Sequence, residues 1–330
     1  MYKIHIEGNS KNLPILRPNK RFQMKSKLIV IALLLVTSGR LLAQDTKAIE
    51  GRWDLVVSKD GKELPSWLEV EKSGGRTLVG RFVYAFGSAR PISEVKFKDG
   101  KFNFSIPAQF EQGDHSMDFE FALEGEAIKG TMIYTDGKSY PFTGTKAPLL
   151  KRDKAPTWDK PVALFNGKDM KGFHTEGENQ WVVENGILKS PKSGSNLFSD
   201  NKYNDFKIHV EFRVPKGSNS GLYLRGRYEV QIEDDKGKEP DSHLFAGIYG
   251  FLTPNEMAAN DASEWQVYDV TLVGRTVTVV ANGKSVITAQ IIPGITGGAI
   301  DSKEGEPGPI MIQGDHGPIE FRNITITPAK

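Results

Sequence analysis

The sequence predicts an all-β chain, a small antiparallel barrel or sandwich followed by a two-sheet sandwich of jelly-roll type. Three observations predict it. Short runs alternate apolar and polar side chains with the two-residue period of half-buried strands. Asp99-Gly100 and Asn282-Gly283 each stand between two such runs, where tight hairpins take those dipeptides. Finally, 34 Gly and 18 Pro in 330 residues punctuate the chain too often for long helices.

Taken in order, the chain is expected to open with a leader. Lys25 and Lys27 precede an apolar run at 28–36, followed by Thr37-Ser38-Gly39 and Leu41-Leu42-Ala43. A basic start, a short apolar stretch and a small-residue end are the marks of a secretory signal peptide. Cleavage is expected near Ala43 and Gln44, with Met24 as the natural start and residues 1–23 an over-extension. A spanning helix needs roughly 17–25 apolar residues, so no permanent membrane anchor is expected. The expected destination is a bacterial periplasm or the exterior.

The first folded part is expected over 44–145. Trp53-Asp54-Leu55-Val56-Val57, Ser66-Trp67-Leu68-Glu69-Val70 and Val95-Lys96-Phe97 alternate as half-buried strands. Another hairpin joins 117–123 to 128–134. No catalytic constellation is visible in this part, and an accessory role is expected for it. Residues 146–160, with prolines and a run of charges but no periodicity, read as a semi-rigid linker. The second part, 161–330, is β again, with strands expected at 206–214, 222–224, 228–232, 267–273, 276–281, 310–313 and 321–326. Only 254–262 is compatible with a helical turn or two.

Composition removes several classes of function. With 43 Lys+Arg against 41 Asp+Glu, scattered rather than striped, the chain has no field for nucleic acid. The lack of cysteine excludes disulfides, thiol nucleophiles and zinc ribbons. No Walker loop, G-x-S-x-G elbow, H-E-x-x-H or G-x-G-x-x-G occurs.

Three segments carry groups able to do chemistry. In Arg225-Gly226-Arg227-Tyr228-Glu229-Val230-Gln231-Ile232-Glu233-Asp234, strand alternation turns Tyr228, Val230 and Ile232 to the core and Glu229, Gln231 and Glu233 to the other face. That polar ladder steps every ~6.6–6.8 Å. It either grips sugar hydroxyls around a general base or forms the solvent face of an edge strand. Gln313-Gly314-Asp315-His316-Gly317-Pro318 gathers an amide, a carboxylate and an imidazole on a turn between strands, where His316 is suited to acid–base work near neutrality and Asp315 or Gln313 to orienting it or binding substrate. In Gly217-Ser218-Asn219-Ser220-Gly221 the glycines allow tight backbone geometry, and Asn219 turns inward or caps the turn. Trp181 and Tyr249 are candidate platforms for a sugar ring, with core packing as the competing reading.

Several of these stretches occur together and in order: Leu164-Phe165-Asn166-Gly167-Lys168-Asp169, Asn219-Ser220-Gly221, Arg227-Tyr228-Glu229-Val230-Gln231-Ile232, Ile248-Tyr249-Gly250, Glu264-Trp265 with Tyr268-Asp269, and Gln313-Gly314-Asp315-His316-Gly317-Pro318 with Glu320-Phe321-Arg322-Asn323. As a set they resemble the 3-keto-disaccharide (3-keto-glycoside) hydrolase family, over about 160–328. The resemblance implies a lectin-like, concanavalin-type jelly roll and an exported enzyme whose partner is an oxidised (3-keto) glycoside or disaccharide. By C2 proton abstraction, elimination and hydration, such an enzyme cleaves the glycosidic bond. Glu229 and His316 are then the catalytic pair, either one being the base, while Arg225, Gln231, Gln313, Asn219, Tyr249, Asp315 and Trp181 bind substrate. The resemblance also leaves room for one divalent metal ion, with Glu229, Asp315 and His316 as candidate ligands. Two other readings stand beside it: a conventional two-carboxylate glycoside hydrolase, and a non-catalytic carbohydrate-binding module.

Overall fold

Eight strands, each hydrogen-bonded to the next, make up the first part of the computed structural model, which describes residues 46–330. The leader assigned from the sequence lies outside those residues. The strands are β1 (Gly51–Lys59), β2 (Lys62–Ser73), β3 (Thr77–Val83), β4 (Arg90–Lys98), β5 (Lys101–Ile106), β6 (Met117–Glu124), β7 (Ala127–Ile133) and β8 (Ser139–Lys146). Pairing of β1 with β8 closes the meander into a barrel, so no edge is left open. Asp99 and Gly100 turn with φ of 53° and 80°, the left-handed pair of a two-residue hairpin, as their sequence predicts. Phenylalanines fill the interior: Phe104 stacks on Phe119 with centroids 4.4 Å apart, and Phe121 meets Phe142 edge-on. Strand β3 escapes the sequence reading because Leu78-Val79-Gly80-Arg81-Phe82-Val83 does not alternate. Its Gly80 is required, since a Cβ there would run into the Glu69 carbonyl on β2.

The expectation that β2 is half-buried is corrected. Ser66 through Val70 are all buried, because Trp67 leaves the barrel wall and enters the core of the second part together with Val83. There Trp67 meets Phe251 edge-on at 5.3 Å.

Thirteen further strands follow in chain order: β9 (Val162–Ala163), β10 (Phe173–Thr175), β11 (Val182–Glu184), β12 (Ile187–Ser190), β13 (Leu197–Tyr203), β14 (Phe206–Arg213), β15 (Asn219–Leu224), β16 (Tyr228–Glu233), β17 (Gln266–Val273), β18 (Thr276–Ala281), β19 (Lys284–Ile291), β20 (Gly308–Ile312) and β21 (Ile319–Pro328). One sheet runs β10-β13-β20-β15-β16; the other runs β11-β12-β21-β14-β17-β18-β19, with β9 paired to β21. Every pairing is antiparallel, and the non-sequential order is that of a jelly-roll sandwich. Val210 and Phe212 from one sheet and Leu222, Val230 and Ile232 from the other share its core. The segment 254–262 forms no helix; Asn260 instead exchanges hydrogen bonds with Gln266 at 2.9 and 3.1 Å, holding the chain in bends.

Barrel and sandwich form one compact unit, Glu50–Lys330. The sequence between β19 and β20 is the fastener: Gly298 N–H donates to Ala85 C=O at 2.8 Å, and the Ser302 hydroxyl to Leu55 C=O at 2.5 Å. The connecting segment is tied down as well, by Arg152 to Asp205 and by Lys330 N–H to Thr157 C=O. Among the described residues no helix is long and apolar enough to cross a membrane.

Candidate active site

The β15–β16 hairpin sorts its side chains by alternation. Leu222, Leu224, Tyr228, Val230 and Ile232 enter the core, while Asn219, Gly221, Tyr223, Glu229 and Gln231 take the opposite face. In register, Gly221 stands across from Gln231 and Tyr223 across from Glu229. This face is not a solvent face. Glu229 is 4% and Gln231 3% exposed. The free edge of β16 is covered by the chain at 246–249, with Ala246 N–H bonded to Gln231 C=O, Gln231 N–H to Gly247 C=O and Tyr249 N–H to Glu229 C=O. Gly221 is required beneath the carboxyl, because a Cβ would collide with Glu229 Oε1.

The 313–318 turn is fastened from both sides. Gln313 N–H donates to Gly221 C=O, the Ser220 hydroxyl to Gln313 C=O at 2.7 Å, Gly314 N–H to Asn196 Oδ1 at 2.9 Å, and the Ser193 hydroxyl to Asp315 C=O. A turn so held presents Asp315 and His316 in fixed positions, and His316 Nδ1 pairs with Asp315 Oδ1 at 2.6 Å.

These elements enclose a cavity of about 310 Å³ lined by Asn219, Tyr223, Glu229, Gln231, Tyr249, Gln313, Asp315 and His316. The structure thus brings together seven of the residues singled out in the sequence, together with Tyr223. Two buried amide oxygens, Gln231 Oε1 and Gln313 Oε1, have no hydrogen-bond partner. Leaving buried acceptors unpaired costs roughly 1–3 kcal/mol each, so this wall carries polar groups that the packing alone does not satisfy.

The electrostatics separate the two ionisable centres. Burial pushes the Glu229 carboxyl up to about 8; the nearby Tyr223 hydroxyl and the His316 imidazole oppose that shift, and Asp315 adds to it. The bond to Asp315 holds the His316 imidazole above its ordinary range, with partial burial opposing. The same bond holds Asp315 below the usual carboxylate range. Burial also raises Tyr223, and the Glu229 charge raises it further. Its hydroxyl donates to Gly297 C=O at 3.0 Å. A buried, hard-to-ionise carboxyl and an imidazole raised by its own carboxylate thus share one cavity in two different electrostatic environments.

The donor set does not suit a metal ion. Asp315 spends its carboxylate on His316, and among the described residues no three His, Asp or Glu side chains are placed to hold one ion. Glu229, Asp315 and His316, the candidate ligands for which the resemblance left room, are not gathered into such a group.

Two expected substrate contacts lie elsewhere. Arg225 does not reach the cavity. It turns through the hairpin at φ 54° with its side chain fully buried, donating to Tyr228 Oη at 3.0 Å and Gly274 C=O at 2.9 Å. Its neighbour Glu304 is buried too and binds Tyr228 Oη and Arg275, so Arg225 belongs to an internal charge network. Trp181 is core rather than platform, its indole N–H donating to Ser195 C=O at 2.8 Å beside Phe321. Glu233 stands half-buried next to Asn219 and Gln231 at the end of the ladder.

The sequence reading missed Tyr223 and the barrel's share of the cavity. Tyr223 was legible, lying two residues beyond Gly221 on the same strand face. Phe86, Gly87 and Phe110, which also line the cavity, come from barrel loops with no motif to mark them.

The fold and site define a class: a jelly-roll sandwich whose polar, ionisable cleft sits on one sheet and is walled in part by an appended β-barrel. Residues 160–327 match the family described as the 3-keto-alpha-glucoside-1,2-lyase-like domain, and the chain belongs to that family. A 3-keto-disaccharide hydrolase of Bacteroides thetaiotaomicron is 28% identical over 94 residues, 24% of this chain and 32% of that protein. The chain thus aligns with about a third of that curated relative's length. A candidate glycosyl hydrolase of known structure from Parabacteroides distasonis is 28% identical, covering 53% of this chain and 92% of that one with a TM-score of 0.44. A second from the same organism is 20% identical, covering 52% and 94%, with a TM-score of 0.43.

Proposed function

We propose that the chain is a hydrolase of 3-keto-glycosides that works by elimination and hydration, with Glu229 as base and His316 as acid. A ketone at C3 acidifies the C2 proton because its removal leaves an enolate. Glu229 carboxylate takes that proton, and the electron pair forms the C1–C2 double bond as the C1–O bond breaks. His316, protonated and oriented by Asp315, gives its proton to the departing oxygen. Neutral His316 next takes a proton from water as the hydroxyl adds to C1, and Glu229 returns its proton to C2. The sum is hydrolysis, with both side chains restored.

One observation carries this reading: a carboxyl raised to about 8 opens into the same cavity as an imidazole paired to its own carboxylate. An acid with that elevated value is, once ionised, a stronger base than a surface glutamate and better matched to a carbon acid. The side chains of Asn219, Gln231 and Gln313 line the same cavity and are of the type that holds a sugar's hydroxyls. The family and its curated relative point to the same substrate class.

Sugar release from a 3-oxidised glycoside and from its unoxidised parent tests the reading. Cleavage of the oxidised form alone, with a transient enone absorbance, is expected. Equal cleavage of the unoxidised parent would show conventional glycosidase chemistry instead, and tight binding without product would show a binding module.

Export belongs to the same proposal, resting on the basic start, the apolar run at 28–36 and the Leu41-Leu42-Ala43 end. Mass spectrometry of the protein from a cell fractionation reads it, with a mature chain starting near Gln44 expected.

A further inference from the structure

The barrel's contribution to the cavity has its own architecture. Phe86 and Phe110 are among the few large apolar side chains left exposed, at 40% and 62%, and both sit on this cavity. Elsewhere the barrel buries its phenylalanines, half-buried Phe97 apart, and packs them on one another. The two exposed rings are held in place. Phe86 rests edge-on against buried Tyr84 at 5.2 Å. Phe110 lies over Gly87, where a Cβ would press on its ring, and its loop is closed by Ser88 N–H to Gln109 Oε1 at 2.9 Å and by Gln109 Nε2 to Ser88 Oγ at 2.8 Å. Beneath it Glu111, buried and ion-paired to buried Arg90 at 2.8 Å, accepts the N–H groups of Gln109 and Phe110.

The loop is also joined to the acid–base centre. A Cβ on Gly297 would strike the Gly87 carbonyl, and one on Gly298 the Tyr223 hydroxyl. Barrel, glycine segment and Tyr223 are therefore in direct succession, with backbone against backbone. At about 310 Å³ the cavity is at the lower end of small-molecule sites, so a glycoside whose reacting sugar sits on the polar sheet must extend its other half past the barrel's rings.

We propose that the barrel supplies the leaving-group subsite: Phe86 and Phe110 form an apolar rim that holds a flat ring face, aryl or the C–H face of a second pyranose, over the Glu229–His316 cavity. This rests on the hydrolase reading above for the identity of the reacting half. Preorganised rings lose little entropy on binding, and an aromatic contact of this kind is worth up to about tenfold in affinity.

The experiment compares the intact protein with Phe110→Ala, Phe86→Ala and Phe110→Tyr on three 3-keto-α-glucosides: 4-nitrophenyl, methyl, and a disaccharide. The wild type is expected to prefer a ring-bearing leaving group to methyl. Each alanine variant is expected to lower that preference in kcat/KM about tenfold, mainly through KM, and Phe110→Tyr to restore it. Loss of preference in the nitrophenyl arm assigns an aryl occupant, and in the disaccharide arm a pyranose. A preference untouched by either alanine variant overturns the proposal. Should the wild type turn over none of the three, the hydrolase reading fails, and the rim is read by calorimetry with unoxidised phenyl and methyl α-glucosides. Tighter binding of phenyl that Phe110→Ala abolishes sustains the rim; equal binding of the two removes it.

Discussion

Tyr223 and Glu229 are Cα partners across the β15–β16 pair, so the phenol and the buried carboxyl are brought side by side by strand register alone. The phenol reaches both Gly297 C=O and the carboxyl, and its O–H lowers the Glu229 value when it turns from the carbonyl to the carboxylate. Tyr223 is therefore a positioning residue that keeps the proposed base from being held too high by its burial.

Replacing Tyr223 with Phe removes that influence and leaves the ring. The Glu229 value then rises, because a lowering cause is lost. The pH optimum of kcat/KM is expected to move to higher pH, with a fall of roughly 10- to 100-fold at neutrality, the range for a hydrogen bond to a charged group. A pH–rate profile checks it; a uniformly lowered curve with an unmoved optimum would mean that Tyr223 only packs.

Asp315→Asn acts in the opposite direction. The carboxylate is the largest cause of the raised His316 value, so its loss lets the imidazole fall. The optimum should move to lower pH and the peak should drop, since less imidazolium remains to protonate the leaving oxygen. NMR titration of the His316 ring measures the shift without turnover, and an unchanged midpoint would refute the coupling.

The strand framework was legible where side chains alternate, and the two halves of the proposed catalytic pair were legible as residue types. Glu229 and Gln231 follow from the period of two, and His316 from a polar turn between strands. What the sequence could not convey was contact between distant segments. Alternation is the same for a solvent face and for a face covered by residues 246–249, so burial of Glu229 was invisible. Arg225 next to the polar ladder resembled a substrate ligand until Glu304, 79 positions on, was seen to share its buried charge network. Trp67 looked like an ordinary barrel residue because nothing local tells that the barrel's outer wall docks on the sandwich. Phe86 and Phe110 are isolated aromatics in loops, with no period to mark them.

Gly221→Ala tests the cradle under the carboxyl. The new methyl overlaps Glu229 Oε1, so the carboxyl must swing away while the strand pairing remains. Activity is expected to fall at least 100-fold, as a 1 Å misplacement can cost. A circular-dichroism spectrum like the wild type's should accompany that fall. Full activity would show that Glu229 has room the structure does not assign to it.

Glu229→Gln separates function from stability. As the proposed base, its loss should lower turnover by about 10²- to 10⁴-fold. Stability should change in the other direction, and the sign follows from linkage. In the unfolded chain Glu229 ionises at its ordinary value of 4.5, in the folded protein only at about 8. Between those values unfolding releases a proton, so the wild type loses stability as pH rises, by ~1.4 kcal/mol per unit and ~5 kcal/mol at most. Glutamine does not titrate, so the variant's advantage should be absent below pH 4.5, grow through neutrality and level off above 8. Urea midpoints at pH 5 and 8.5 read this directly. Parallel pH dependences in the two proteins would mean that the Glu229 carboxyl is as easily ionised as one in water, and with that its suitability as the base would be lost.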